Sequence, residues 1–184
     1  MHGTEAVSPW VARWAHLVRS GGTVLDVACG RGRHSRLFAE RGCRVTAVDR
    51  DEEALRSIEG IAAEIVNADI EAGPWPFTGR TFDAVIVTNY LWRPLLPAIA
   101  AAVAPGGVLL YETFALGNEA FGKPSRPDFL LKPGELPAAF ASMEIVAYEH
   151  GLLASPPRVV QRIACGNSLP LQSLESAIPG EKIS

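Results

Sequence analysis

The stretch Thr23 to Asp49, TVLDVACGRGRHSRLFAERGCRVTAVD, decides the fold of this chain. Its apolar run Val24 to Ala28 has the length and β-branching of a buried parallel strand. Gly30 and Gly32 follow at once, where a backbone turns sharply and lets a ligand come close to its N–H groups. A helix starting at about Arg33 buries Leu37 and Phe38 and stops at Gly42, a left-handed cap position. Val45, Ala47 and Val48 form a second buried strand with Asp49 at its carboxyl end. An acid on the neighbouring strand, roughly twenty residues past the glycines, accepts hydrogen bonds from a ribose diol. The stretch therefore predicts a site for an adenosine-containing ligand.

Departures from the dinucleotide pattern narrow the ligand. A nicotinamide-binding turn prefers G-x-G-x-x-G, because the third glycine lets the helix pack closely beside a pyrophosphate. Here Ser35 takes that place. Asp26, inside the strand before the turn, would oppose the negative charges of a pyrophosphate and suits a ligand end carrying an ammonium group. The run Asp26-Val27-Ala28-Cys29-Gly30-Arg31-Gly32 resembles the first motif of class I S-adenosylmethionine-dependent methyltransferases, with Ala28 in place of the usual first glycine. The resemblance implies that Asp26, Ala28, Cys29, Gly30, Gly32, His34, Asp49, Arg50, Asp69, Ile70 and Asn89 surround S-adenosyl-L-methionine, with S-adenosyl-L-homocysteine as product. Asp49 would take the ribose and Asp69 the adenine amino group.

Further landmarks lie in the order of that family. Glu64 to Asn67 reads as a third short strand ahead of Asp69. Phe82 to Asn89 looks like the fourth strand, with Asn89 and Tyr90 at its carboxyl end beside the methyl group. Ala104-Pro105-Gly106-Gly107 resembles the turn entering a fifth strand that continues to Tyr111. Met143 to Glu149 and Arg158 to Cys165 are strand-like runs with no room for a helix between them, so they pair antiparallel. The expected fold is α/β, a doubly wound, mostly parallel seven-stranded sheet in the order 3-2-1-4-5-7-6 with its last strand antiparallel and helices on both faces. A nicotinamide-binding domain would carry a parallel sixth strand instead. The resemblance spans about residues 8–167, read as one domain, and the whole stretch is similar to bacterial small-molecule methyltransferases of the tellurite-resistance and thiopurine types.

Between these strands, Ser8-Pro9-Trp10 opens a helix expected over about residues 8–20, with Ser8 as its cap and Val11, Trp14, Leu17 and Val18 on one face. Asp51, Glu52 and Glu53 start another, with Leu55 and Ile58 as its buried side. Residues 72–80, AGPWPFTGR, form a loop on their Pro and Gly content. Pro94 begins a helix reaching about Val103, where Pro105 blocks its continuation. The polar, Pro- and Gly-containing tail 168–184 is expected to be poorly ordered.

Composition bounds the function. A chain of 184 residues that is 48% hydrophobic supports one domain with a sizeable core. Its net charge of −3 gives no general attraction to a polyanion, so nucleic acid is not the expected partner. With no charged-then-apolar leader in residues 1–8 and no run of about twenty apolar residues, the expectation is a cytoplasmic protein without a membrane partner. The three cysteines show no C-x-x-C spacing and the four histidines no H-x-x-x-H pair, so no metal is expected.

The segment from Glu112 to Pro133, ETFALGNEAFGKPSRPDFLLKP, emerges where open α/β sheets bind ligands and is too broken by Gly and Pro for a long helix. It reads as a lid over a small-molecule acceptor, or as a packed surface Ω-loop. Candidate catalytic side chains are Tyr90, Arg93 and Glu112, and Lys123 and Arg126 are candidate acceptor contacts in the lid. Arg93 has the fixed fork that clamps a planar anion. Glu112 is either a base or a partner of Arg93. The expected function is S-adenosylmethionine-dependent methyl transfer to a small molecule. Two alternatives stay open: a nicotinamide-dependent oxidoreductase and a non-catalytic cofactor-binding subunit.

Overall fold

The computed structural model describes residues 6–169, so the tail expected to be poorly ordered lies almost wholly outside the described residues. The chain alternates α1 (Pro9–Trp14), β1 (Thr23–Val27), α2 (Arg33–Glu40), β2 (Arg44–Asp49), α3 (Glu52–Arg56), β3 (Glu64–Asn67) and β4 (Phe82–Thr88), then α4 (Leu96–Ala101), β5 (Val103–Phe114), α5 (Glu135–Ala139), β6 (Glu144–Ala154) and β7 (Pro157–Gly166). One seven-stranded sheet has the order β3-β2-β1-β4-β5-β7-β6. Strands β1 to β5 pair in parallel, and β7 runs antiparallel to both β5 and β6. The turn between β6 and β7 has no room for a crossover helix, which forces that hairpin. A parallel sixth strand, and with it the nicotinamide-binding alternative for the fold, is excluded.

Strand residues alternate between two cores because successive side chains point to opposite faces. Val24, Ala84, Ile86, Val108 and Leu110 face Trp10, Val11 and Trp14 of α1 and Phe38 of α2. Leu25, Val27, Val85, Val87, Leu109 and Tyr111 face Leu96 and Ile99 of α4 and Leu136 and Phe140 around α5. Burial on both faces is why the strands read as continuous apolar runs rather than as alternating ones.

The 68–81 connection holds no helix; Phe77 plugs the sheet instead, edge-on to Trp75 at 5.1 Å and to Phe82 at 5.8 Å. Element lengths depart from the sequence expectation in three places. The first helix covers only Pro9–Trp14 before tightening to a 3-10 turn at Ala15–Leu17. The helix expected from Pro94 to Val103 is a 3-10 turn, Arg93–Leu95, followed by Leu96–Ala101. Strand β5 starts at Val103 and crosses the Pro-Gly-Gly run, with a register shift against β4 between Phe82 and Ala84. Added Cβ atoms explain the glycine there, since one on Gly107 would lie 2.9 Å from the carbonyl oxygens of Ala104 and Phe82. No helix among the described residues is long and apolar enough to cross a membrane.

Candidate active site

The turn after β1 is built from left-handed residues, with φ of +51° at Ala28, +55° at Gly30 and +69° at Gly32. They curl the chain so that Cys29 N donates to Val48 O at 3.0 Å and Gly32 N to Cys29 O at 2.9 Å. The two glycines serve different ends. A Cβ on Gly32 would collide with Ile58, whereas one on Gly30 would meet nothing within 4 Å. Gly32 therefore answers to packing, and Gly30 leaves an open backbone face for a ligand.

Two carboxylates bracket that face. Asp26 is 2% exposed and accepts a hydrogen bond from Ser35 Oγ at 2.6 Å on Oδ2. Burial raises its pKa from 3.8 to about 6, opposed by the Ser35 hydrogen bonds and the Arg33 charge. Ser35, which departs from the dinucleotide glycine pattern, is thus the partner of the acid that makes the same departure. Asp49, ending β2, accepts from Gly30 N at 2.8 Å on Oδ2 and from Asp51 N at 2.9 Å on Oδ1. Each carboxylate oxygen carries two lone pairs, so Asp49 retains acceptor capacity for hydroxyl donors while fixing the turn. An open backbone, a buried acid suited to an ammonium and an acid at the next strand end fit S-adenosylmethionine. Cys29 is half-buried, and burial pushes its thiol far above the usual range, so it stays a neutral wall group.

The third acid sits beside a different part of the site. Asp69 Oδ1 accepts from Glu71 N at 3.0 Å and Ala72 N at 3.1 Å, and these backbone bonds lower its pKa. Ile70 beside it is buried, and the exposed Arg50 lies close enough to Asp69 to reinforce the lowering. Tyr90 belongs to this side. Its hydroxyl oxygen is buried, and burial together with the Glu71 and Asp69 carboxylates pushes the phenol well above its usual range. Tyr90 is therefore a proton-holding group near Asp69 and is absent from the cavity wall that holds Glu112.

A cavity of about 190 Å³ opens at the carboxyl ends of β4 and β5. Residues 6–9, Arg33, Asn89, Glu112 and the hairpin residues Ser155, Pro156 and Arg158 wall it. Asn89 follows β4 with φ of +55°, a conformation that asparagine tolerates and that turns the chain at the cavity mouth. The N-terminal segment is tied in twice through Ser8. Its N–H donates to His34 Nε2 at 3.1 Å, and its hydroxyl donates to Glu112 Oε1 at 3.1 Å while also capping α1. Burial, with Arg33 adding to it, lowers the His34 pKa to about 3, so the ring is neutral and can accept from Ser8.

Glu112 lies within β5 rather than after it, and register places Arg162 of β7 directly across from it. Arg162 Nη1 is 3.5 Å and Arg158 Nη2 3.7 Å from its two oxygens. Arg162 also pairs with Glu149 of β6, so charges of alternating sign run across three strands.

The remaining candidates lie elsewhere. Arg93 donates to Glu135 at 2.6 and 3.0 Å and to the carbonyls of Asp128 and Leu130 at 2.7 and 2.9 Å. That geometry corrects the anion-clamp expectation: the fork holds the end of the 112–133 segment, and Glu112 is not its partner. Lys123 and Arg126 are exposed and outside the cavity wall, with Arg126 paired to Asp128 at 2.9 Å. Asn118 anchors the same segment, accepting from Val159 N at 3.1 Å and donating to Pro124 O at 3.0 Å. Its end re-enters the core through Leu130 and Leu131, and Leu131 N donates to Phe114 O at 3.0 Å. Of the 112–133 segment Glu112 lines the cavity, and the rest of the wall near it comes from residues 6–9 and the β6–β7 hairpin.

Sequence reading missed Arg33 and Arg158 and saw Ser8 only as a helix cap. The period of two that sets Arg158 and Arg162 on one face of β7 was available as a signal, but their partner across the sheet was not.

This sheet order with a glycine turn after β1 and acids ending β2 and following β3 is the class I methyltransferase architecture. Residues 24–107 match a methyltransferase domain family, and the fold around them is that of the class I S-adenosylmethionine-dependent methyltransferases. It is 36% identical over 106 residues to malonyl-[acyl-carrier protein] O-methyltransferase of Serratia marcescens, covering 53% of this chain and 40% of that protein. It is 41% identical over 99 residues to trans-aconitate 2-methyltransferase of Paracidovorax citrulli, covering 48% and 37%. The chain thus spans about two fifths of the length of these curated relatives. Among solved structures, TehB from Haemophilus influenzae superposes with a TM-score of 0.73 at 20% identity, over 89% of this chain and 63% of that one. An S-adenosylmethionine-dependent methyltransferase from Mesorhizobium loti gives a TM-score of 0.66 at 15% identity, over 89% and 99%. At these identities the structural likeness concerns the fold.

Proposed function

We propose that this chain transfers a methyl group from S-adenosyl-L-methionine to a small-molecule acceptor seated in the cavity beside Asn89 and Glu112. The observation that carries this reading is the adjacency of the two half-sites. Arg33, whose charge acts on Asp26 beside the Gly30–Asp49 turn, also stands on the wall of the cavity that holds Asn89 and Glu112.

Bound, the cofactor supplies an electrophilic methyl group, so the protein's task is chiefly placement and exclusion of water. Asp26 holds the amino end through its buried carboxylate, Asp49 the ribose hydroxyls, and Asp69 with Ile70 and Arg50 the adenine side. Ala28, Cys29, Gly30 and Gly32 supply the backbone wall. His34 acts through Ser8, tethering the N-terminal segment over the cavity, and is a positioning residue. Thr88 Oγ1, 3.4 Å from His34 Nδ1, accepts from Arg33 Nη2 at 3.2 Å and sets where that guanidinium stands. A cavity of about 190 Å³ has the volume of about six water molecules, which supports a small acceptor over a nucleic acid or a folded protein.

The test measures affinity and turnover separately. Calorimetry should show S-adenosylhomocysteine binding that Asp49→Ala weakens, and labelled-methyl transfer should appear with members of a small-acceptor panel. Absence of cofactor binding in the folded protein refutes the reading; binding without transfer to any acceptor supports the non-catalytic subunit instead.

A further inference from the structure

The cavity carries a charge pattern that methyl transfer alone does not require. Arg33 and Arg158 stand on its wall, and Arg162 stands behind Glu112. The carboxylates around them are Glu112, Glu149, which also pairs with Arg13 at 3.1 Å, and Asp26, whose charge reaches Arg33. On the wall itself cations outnumber anions among the described residues. Arg158 is also incompletely satisfied. Its Nε is buried with no hydrogen-bond partner, its side chain is only 21% exposed, and its approach to Glu112 at 3.7 Å is an ionic contact beyond hydrogen-bond length. A guanidinium held in a cavity wall with an unpartnered buried donor is costly unless something supplies acceptors. Burial lowers the Arg33 pKa and the nearby Arg158 charge adds to that, while Glu112 and Asp26 oppose it.

The groups that would deprotonate a neutral acceptor are poorly placed. Glu112 is the carboxylate on the described wall, and its oxygens already receive Ser8 Oγ and face two guanidinium groups. His34 has Nε2 turned to Ser8 N. Tyr90 keeps its proton on the other side of the site.

Building on the methyl-transfer reading, we propose that the acceptor is a small oxyanion, held by the Arg158 and Arg33 guanidinium groups in the cavity between residues 6–9 and the β6–β7 turn. An acceptor oxygen that arrives ionised offers its lone pair directly. The new oxygen–carbon bond forms as the methyl–sulfur bond breaks, the bonding pair passes to sulfur, and no proton is taken from the reacting oxygen. A fixed fork of donors suits a planar carboxylate better than a tetrahedral oxyacid. Glu112 tunes the pocket, since it draws on the same guanidinium groups and repels an incoming anion.

The experiment titrates acetate and inorganic phosphate into the protein saturated with S-adenosylhomocysteine, at ionic strength fixed with sodium chloride, and reads binding by ligand-observed NMR. Acetamide is the uncharged control. Saturable anion binding is expected, with acetate ahead of phosphate. Arg158→Gln should raise the anion Kd at least tenfold, and Glu112→Gln should lower it several-fold. Both variants should keep the S-adenosylhomocysteine Kd within twofold. Opposite signs at two neighbouring residues cannot come from misfolding. Acetamide binding as well as acetate, an unchanged Kd in Arg158→Gln, or weakening in Glu112→Gln overturns the proposal. If S-adenosylhomocysteine itself fails to bind, methyl transfer falls, and the same titrations on cofactor-free protein still decide the anion site.

Discussion

The proposed ammonium contact makes Asp26 a link between stability, pH and cofactor binding through one buried carboxyl. Its pKa rises from 3.8 to about 6 on folding because burial penalises the charge more than Ser35 and Arg33 relieve it. At about 1.4 kcal/mol per pKa unit, ionised Asp26 costs the folded cofactor-free protein about 3 kcal/mol. Between pH 3.8 and about 6 the folded chain keeps a proton that the unfolded chain has released. This contribution is therefore fully present below 3.8, declines as pH rises through about 6 and is lost above it. A ligand ammonium against Asp26 reverses the balance by favouring the ionised form. Affinity for S-adenosylhomocysteine should then rise about tenfold from about pH 5 to about 7.5 before levelling. Asp26→Asn should flatten that rise, weaken binding and, at about pH 8, stabilise the cofactor-free protein by about 1 to 3 kcal/mol. Calorimetric titrations across that range, with urea melts of both proteins, measure each arm. A variant with the same pH profile of binding, or one less stable at high pH, refutes the assignment of the ammonium to Asp26.

Other sites give independent tests. Asp49→Ala removes the acceptor of Gly30 N and Asp51 N along with the proposed ribose contact, and should weaken S-adenosylmethionine by about 2 kcal/mol; unchanged calorimetric affinity would sink the ribose role. Ala28→Gly relieves a left-handed alanine, a gain of about 1 kcal/mol offset by the freer unfolded chain. The melt should stay level or rise with binding preserved, so a clear loss of stability would show the methyl to be a packing contact. Arg93→Ala should cost about 2 kcal/mol of stability through its bonds to Glu135, Asp128 and Leu130, while cofactor affinity holds; the reverse outcome would return Arg93 to the binding site. We further propose that lid motion is confined to residues 117–129, which hydrogen exchange should find fast in cofactor-bound protein, slowed by product plus acceptor, and faster throughout than Leu131, whose N–H is bonded to Phe114. Identical protection in the two states would make the segment a packed loop.

The sequence by itself determined the sheet and the cofactor turn, because those features are local. Val24 to Ala28, the glycines, the helix and Asp49 are joined by short covalent spacings that geometry converts directly into strand, turn and strand end. The strand-like runs beyond Met143 likewise force a hairpin, since no helix fits between them. The cavity beside Glu112 was not legible, because its walls come from residues 6–9, 33, 89, 112, 155, 156 and 158 and meet only when β7 inserts between β5 and β6. Pairing register sets Arg162 across from Glu112, and a slip of one residue would turn it to the other face. Arg93 shows the same boundary from the other direction: its position after β4 suggested an anion clamp, but folding brings Glu135 and two carbonyls within reach and engages its donors. Only the tertiary structure decides which cations meet a partner and which line a cavity, since that depends on contacts between segments whose separation along the chain encodes nothing of their distance in space.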